Sequence, residues 1–261
     1  MDLNLSGKRA VVCGSTQGIG KSAAMELALL GADITLIARN EEKLKQVLLE
    51  IPTNAGQKHD FIIADFNLPD DLKLKVDSYA ASNVVHILVN NTGGPPAGQA
   101  IDAKLEEFVR AFSNHLLCNQ ILTQSFVSGM KQAGYGRIIN VISTSVKAPI
   151  KGLGVSNTIR GAVASWAKTL SLELGQFGIT VNNVLPGTTM TARLAFVMNE
   201  TAKKTGKTLD EVKKDMIAQI PIGRISEPQE VGAVIAFLCS PAAGYINGIN
   251  VPVDGGRTSS L

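Results

Sequence analysis

The sequence predicts an α/β fold, a doubly wound parallel sheet with helices on both faces. Three observations carry that prediction. Apolar β-branched runs alternate with helix-periodic segments along the whole chain, joined by short connections. A glycine-rich turn stands between the first strand and the first helix. The polar residues of interest gather just past the carboxyl ends of the strand signals, where ligands bind in this architecture.

Length and composition narrow the class. The chain has 261 residues, 45% of them hydrophobic, with no change of character along it, which predicts a single domain over 1–261. A net charge of +3, dispersed, marks no nucleic-acid face. No signal-peptide pattern opens the sequence and no run of eighteen apolar residues occurs, so a cytoplasmic chain with no membrane partner is expected. Cys13, Cys118 and Cys239 are far apart among apolar neighbours. They read as small buried residues of a reducing compartment, and their spacing suits no metal.

The first strand signal covers residues 8–13 (KRAVVC), and GSTQGIG follows directly, opening a helix over 21–30. In it Gly14, Gly18 and Gly20 permit a tight turn and bring the backbone of Ser15, Thr16, Gln17 and Ile19 close to a pyrophosphate on the helix N-terminus. A plain tight turn is the alternative, and the strand–turn–helix setting argues against it in favour of a Rossmann-type nucleotide site. The second strand is 33–38 (DITLIA). An acid at its end would hydrogen-bond the ribose of NAD, but Arg39 stands there, followed by Asn40. A guanidinium suits a 2′-phosphate, with Ser15 and Thr16 as further hydroxyl donors, so NADPH is the expected cofactor. The competing reading of Arg39 is an exposed residue at a helix start.

Further along, 61–64 is the third strand, ending at Asp65 and Phe66. A helix over 70–81 follows Pro69, and 84–89 (VVHILV) is the fourth strand, in which His86 reads as a packed or edge residue. NNTGG follows, with Asn91, Thr92 and Gly93, and then a loop stiffened by two prolines, GGPPAG at 93–98. Residues 104–130 have the periodicity of one long helix. GRIINVI is a central strand leading into STS, and the segment ending near 177 is a long small-residue helix. Residues 180–185 form a sixth strand followed by PGTTMTAR, and 194–219 is a Lys-rich helical stretch. SEPQEVGAVIAFLCS reads as a helix begun at Ser226, and INGINVPVDGG as a last strand.

With GSTQGIG, NNTGG, the strand–Ser–helix succession and the Pro-Gly loop in this order, the chain resembles the short-chain dehydrogenase/reductase family over nearly its whole length, from GSTQGIG to VDGG. The resemblance implies an NADP(H)-binding oxidoreductase acting on a small molecule, often a homodimer or homotetramer. It implies that Asp65 and Phe66 flank the adenine; Asp65 is equally suited to capping the next loop. Asn91, Thr92 and Gly93 then correspond to the family's Asn-Ala-Gly. Pro186, Gly187 and Thr189 fall at the nicotinamide carboxamide, with a phosphate contact at Thr191. The family's catalytic Ser aligns with Ser143. Its Tyr-x-x-x-Lys pair aligns with Ser156 and Arg160, so the phenol and the ammonium are both replaced. Its Asn aligns with His115, or with Asn114 after a shift of one.

The substitutions have chemical content. A phenol beside an ammonium gives up a proton near neutral pH, whereas a Ser hydroxyl does not and a guanidinium stays charged. Loss of a positioned acid removes about 10²–10⁴ in rate. One expectation is an NADPH-dependent reductase with a catalytic set of Ser143, Ser156, Arg160 and His115, acting on quinones, dicarbonyls or conjugated carbonyls. In it Arg160 supplies positive charge or holds the cofactor ribose. His115 is either a proton relay or a structural helix-face residue. The alternative is a non-catalytic nucleotide-binding sensor or scaffold subunit, and a third is dehydration or isomerisation with His115 as base.

Overall fold

Seven strands form one parallel sheet in the order β3-β2-β1-β4-β5-β6-β7. They are β1 (Arg9–Cys13), β2 (Asp33–Ala38), β3 (Asp60–Ile63), β4 (Ile87–Asn90), β5 (Gly136–Val141), β6 (Ile179–Pro186) and β7 (Asn250–Val253). This computed structural model describes residues 1–260. Strand order reverses between β1 and β4, which opens a crevice at their carboxyl ends.

The strands are apolar on both faces because both are covered. In β1, Ala10 and Val12 point to one core and Val11 and Cys13 to the other. On the first face lie α1 (Gly18–Leu29), α2 (Glu41–Glu50) and α9 (Pro228–Cys239), contributing Leu27, Leu44, Val231 and Ile235. The second face carries α3 (Pro69–Ala80), α5 (Cys118–Ala133) and α6 (Gly154–Leu174), contributing Leu72, Phe126 and Ala167. All three cysteines are buried and unpaired, and burial pushes their thiols up, out of the reactive range.

Four elements depart from the sequence reading. The expected long helix 104–130 is α4 (Leu105–Phe112) and α5 joined by a π-helical turn, Ser113–Leu117, in which the Cys118 amide reaches back to the Ser113 carbonyl. The inserted residue interrupts the helical register without ending the helix. The Lys-rich stretch is two helices, α7 (Ala192–Thr205) and α8 (Leu209–Ile217), parted by Gly206 at φ +70 and restarted by a Thr208–Glu211 capping box. The helix expected to begin at Ser226 is capped by Glu227 with Glu230 instead; the Ser226 amide and carbonyl pair with Thr188 and Met190. The fourth strand starts later than expected, and His86, just before it, accepts a hydrogen bond at Nδ1 from the Arg9 amide (3.1 Å), a structural role.

An asparagine ladder crosses the sheet. Asn90, Asn140, Asn183 and Asn250 sit in register on neighbouring strands, each side-chain amide donating to the next carbonyl oxygen at 2.9, 3.0 and 2.8 Å. It fixes the relative heights of β4 to β7, hence of the loops that leave their carboxyl ends.

Candidate functional site

The glycine turn leaves β1 and enters α1 with Gly14 at φ +59 and Gly18 at φ +55, conformations open to glycine. A Cβ on Gly20 would lie 2.3 Å from the Gly14 carbonyl oxygen, so helix and strand pack backbone to backbone. Gln17 precedes α1 in extended conformation but its side chain does not cap the helix, and the first turn has no acid. The positive end of α1 is therefore unneutralised by the chain, a fit for an anion. α2 differs: Asn40 Oδ1 accepts from the Lys43 amide (2.9 Å), and Glu41 and Glu42 occupy its first turn.

Two sequence-predicted donors are thereby sorted. Ser15 is fully buried and its hydroxyl donates to the Ile37 carbonyl (3.4 Å), which turns it into the fold; Thr16 is partly exposed. Arg39 leaves the end of β2 with 70% of its side chain exposed and Nη1 3.9 Å from Asp65 Oδ2. Asp65 also accepts from the Asn67 amide at 3.0 Å, the loop-capping role the sequence allowed. The Phe66 side chain is buried in the second core, so the residue offers its neighbourhood backbone rather than an exposed ring.

At the crevice, Asn91 Nδ2 donates to the Cys13 and Gly14 carbonyls (3.2 and 3.3 Å), tying the end of β4 to the glycine turn. Thr92 and Gly93 follow at the surface, and Gly94 lies over Arg160, whose Nη2 would be 3.7 Å from a Cβ there. Gly98 pairs with Leu153, and the backbone bonds Gly98–Gly152 and Gly154–Gly98 fasten the proline loop to the start of α6. Beyond β6, whose last residue is Pro186, Gly187 passes so close to Asp254 that a Cβ would meet the Asp254 Cβ at 2.6 Å. Thr189 is buried and accepts from the Ser226 hydroxyl at 3.0 Å. Thr191 caps α7, accepting from the Leu194 amide, and its Cγ2 stands 3.2 Å from a Cβ position on Gly18. The start of α7 therefore lies across the glycine turn.

Of the residues that the resemblance aligned with a catalytic set, the structure brings His115 and Arg160 within electrostatic reach of each other, beside Gly93 and Gly94. Ser143, half-buried at the end of β5, accepts from the Ser145 amide (3.1 Å) and caps a short 3₁₀ turn. Ser156 is half-buried in the first turn of α6, and its hydroxyl makes no hydrogen bond among the described residues. One turn later Arg160 is 8% exposed, and its Nη1 donates to the Val141 carbonyl (2.9 Å). No carboxylate pairs with it among the described residues, and burial pulls its pKa down to about 10. The π-turn places His115 inward, 3% exposed, while Asn114 turns outward and donates to Asn67 Oδ1 (2.9 Å). Burial, then the charge of Arg160, push His115 down to about 3 against an opposing hydrogen bond with the Gly93 backbone. The imidazole is therefore neutral near neutral pH, a hydrogen-bonding group rather than a proton store.

Sequence reasoning missed Arg193, on α7, whose Nη2 donates to the Pro95 carbonyl (3.2 Å) and ties the helix to the proline loop. Its position in TTMTAR signalled a basic residue near the site but not its reach.

These features define a dinucleotide-type crevice at the switch point of a parallel sheet. Comparison with known proteins gives it a family. A family model described as enoyl-(acyl carrier protein) reductase matches residues 14–258. An NADPH-dependent aldehyde reductase-like chloroplastic protein of Arabidopsis thaliana is 32% identical, over 97% of this chain and 95% of its own. The 3-oxoacyl-(acyl-carrier-protein) reductase of Aquifex aeolicus is 30% identical, over 98% and 99%. L-sorbose reductase of Gluconobacter frateurii, solved with NADPH and L-sorbose, superposes with a TM-score of 0.93 at 30% identity, covering 100% of both chains. The chain belongs to the short-chain dehydrogenase/reductase family, whose NAD(P)-dependent reductases it resembles from end to end.

Proposed function

We propose that this chain is an NADPH-dependent reductase of activated carbonyls, quinones or dicarbonyls, working at an atypical centre. The observation that carries the reading is the buried Arg160, which among the described residues has no carboxylate partner, one turn from a Ser156 hydroxyl that has no hydrogen bond among them. In the family pattern a phenol and an ammonium occupy those two places.

The residues present fit the dinucleotide. The uncapped amides of α1, with Gly14, Ser15, Gln17, Gly18, Ile19 and Gly20, suit its pyrophosphate, and Thr191 lies close enough to add a hydroxyl. Arg39 and Thr16 suit the 2′-phosphate; Asn40 orients the start of α2 beside them. Asp65 and Phe66 border the adenine, Asn91, Thr92 and Gly93 the nicotinamide ribose, and Pro186, Gly187 and Thr189 the carboxamide. Bound there, NADPH supplies the hydride that carbonyl reduction requires.

The protein's own part is electrostatic. Ser143 donates to the oxygen that becomes negative, Ser156 extends that contact, and Arg160 supplies a fixed positive charge beside it. His115 accepts or relays a hydrogen bond in its neutral form. None of the four is an acid near neutral pH, so the final proton comes from water. A substrate whose reduced anion is stable by itself suits such a centre; a simple ketone does not. A cytoplasmic, single-domain homo-oligomer completes the proposal.

The test is NADPH oxidation with a panel of quinones, dicarbonyls and plain ketones. Selective turnover of the first two supports the reading, and simple ketones reduced as fast as quinones would sink it. Tight NADPH binding with no turnover of any acceptor would favour a nucleotide sensor.

A further inference from the structure

We infer that the substrate carries its own negative charge: it is a 2-oxo acid, or an acceptor of like chemistry, whose carboxylate pairs with Arg160. This rests on the reductase reading and, within it, on the ionic pull of Arg160 rather than on the stability of the reduced anion.

Charge balance around Arg160 points to an anion. Arg160 is 8% exposed, presents five N–H donors, and gives one of them to the Val141 carbonyl. A guanidinium buried without a counter-charge is costly, and the cost is recovered only when an anion arrives. No carboxylate among the described residues pairs with Arg160. The three segments that meet at the crevice, 90–101, 143–160 and 186–199, contain no Asp or Glu. Three acids of the surrounding loops have partners of their own. Asp65 faces Arg39, Asp102 accepts from Gln99, and the Asp254 carboxylate accepts from the Gly256 and Thr258 amides.

In the family arrangement the ammonium has an ionisable phenol to act on, but here Ser156 cannot take up the charge. Sugar hydroxyls of a bound dinucleotide would share the donors of Arg160 without cancelling its charge. The planar fork of a guanidinium matches a carboxylate at two points, which a lysine in its place would not. Arg193 adds a second guanidinium at the same proline loop, engaged by a carbonyl and not by an acid. His115 stays neutral beside Arg160 and so adds hydrogen-bonding capacity without repelling or neutralising the incoming anion.

Benzoylformate and its methyl ester test this. The ester's ketone is intrinsically the more electrophilic, so any preference for the acid has to come from the site. Wild type should favour the acid by at least tenfold in kcat/KM for NADPH oxidation. It should also bind the acid at least tenfold more tightly than the ester in calorimetric titration of the NADP⁺-loaded protein, where no turnover occurs. Arg160→Gln should abolish both preferences. Arg160→Lys, which keeps the charge and loses the fork, should retain part of them, and circular dichroism shows whether each variant is folded. Equal affinity for acid and ester in wild type overturns the inference, even if quinones are reduced rapidly. The binding preference without turnover of any acceptor would uphold the anion site and contradict the reductase reading.

Discussion

Replacing Arg39 with alanine separates nucleotide selection from everything else the crevice does. The side chain leaves the end of β2 with 70% of its surface exposed, so its loss should leave the fold intact. A hydrogen bond to a charged group is worth about 1.5–3 kcal/mol. Arg39 is 70% exposed, and Asp65 Oδ2 at 3.9 Å competes for it, so solvent screening and that competition put the expected loss at the low end. At about 1.4 kcal/mol per decade, NADPH binding should weaken roughly tenfold. NADH, which lacks the 2′-phosphate, should bind as before. The assay is the fluorescence change of the reduced nicotinamide on titration, at low and at physiological salt, and the gap between variant and wild type should narrow as salt rises. Asp65→Asn should act oppositely and tighten NADPH. If Arg39→Ala weakens both nucleotides equally, or neither, the placement of the 2′-phosphate at the end of β2 is wrong.

Three further outcomes follow from the geometry. Gly20→Ala drives a Cβ to 2.3 Å from the Gly14 carbonyl, and at about 1–3 kcal/mol for such overpacking it should lower the thermal midpoint; an unchanged melt would mean the turn can give way. Asn140→Leu breaks two links of the amide ladder and leaves Asn90 and Asn183 short of partners, at about 1–3 kcal/mol for each stranded group, read from urea unfolding. A loss no larger than that of an exposed Asn would dismiss the ladder as a stabilising element. His115, lowered from 6.5 to about 3, is neutral in both folded and unfolded chains above pH 6.5. Below that the unfolded chain takes a proton that the folded one refuses, so stability falls as the pH drops towards 3. Wild type should therefore lose about 2 kcal/mol relative to His115→Asn between pH 6.5 and pH 5, on the linkage of 1.36 kcal/mol per pH unit. A pH-independent difference between the two proteins would show that His115 titrates normally.

The strand–turn–helix at GSTQGIG was legible because its signals are local: β-branched residues, then glycines, then a small-residue helix. The sheet followed from the alternation of such units. The position of Arg39 at the end of the second strand was legible for the same reason; its exposure of 70% is common to the phosphate reading and to that of a helix-start residue. His115 against Asn114 was not, because a single π-turn shifts the register of the helix by one residue, and SNHLL carries no signature that separates it from an ordinary turn. The ladder was hidden differently. Asparagines are unusual within apolar strands, and that signal was present at Asn90, Asn140, Asn183 and Asn250, but their alignment depends on the register between strands distant in sequence. Ser15 illustrates a third limit: a hydroxyl beside a glycine turn reads as a ligand donor until the fold shows it donating to Ile37. The setting of Arg160 also needed the structure, since only the packing of three separate segments shows that no acid among the described residues pairs with it.

On the proposed reading Ser156 stands where the family's phenol would, and the missing phenol restricts the enzyme to easy acceptors. Ser156→Tyr tests it most directly, assayed by NADPH oxidation with a simple ketone and a quinone. The variant should gain ketone reduction over the wild type while its quinone rate changes little, because only the ketone needs a proton donor in the transition state. A wild type that already reduces the simple ketone as fast as the quinone, or a folded, NADPH-binding variant with no gain on the ketone, would contradict the account.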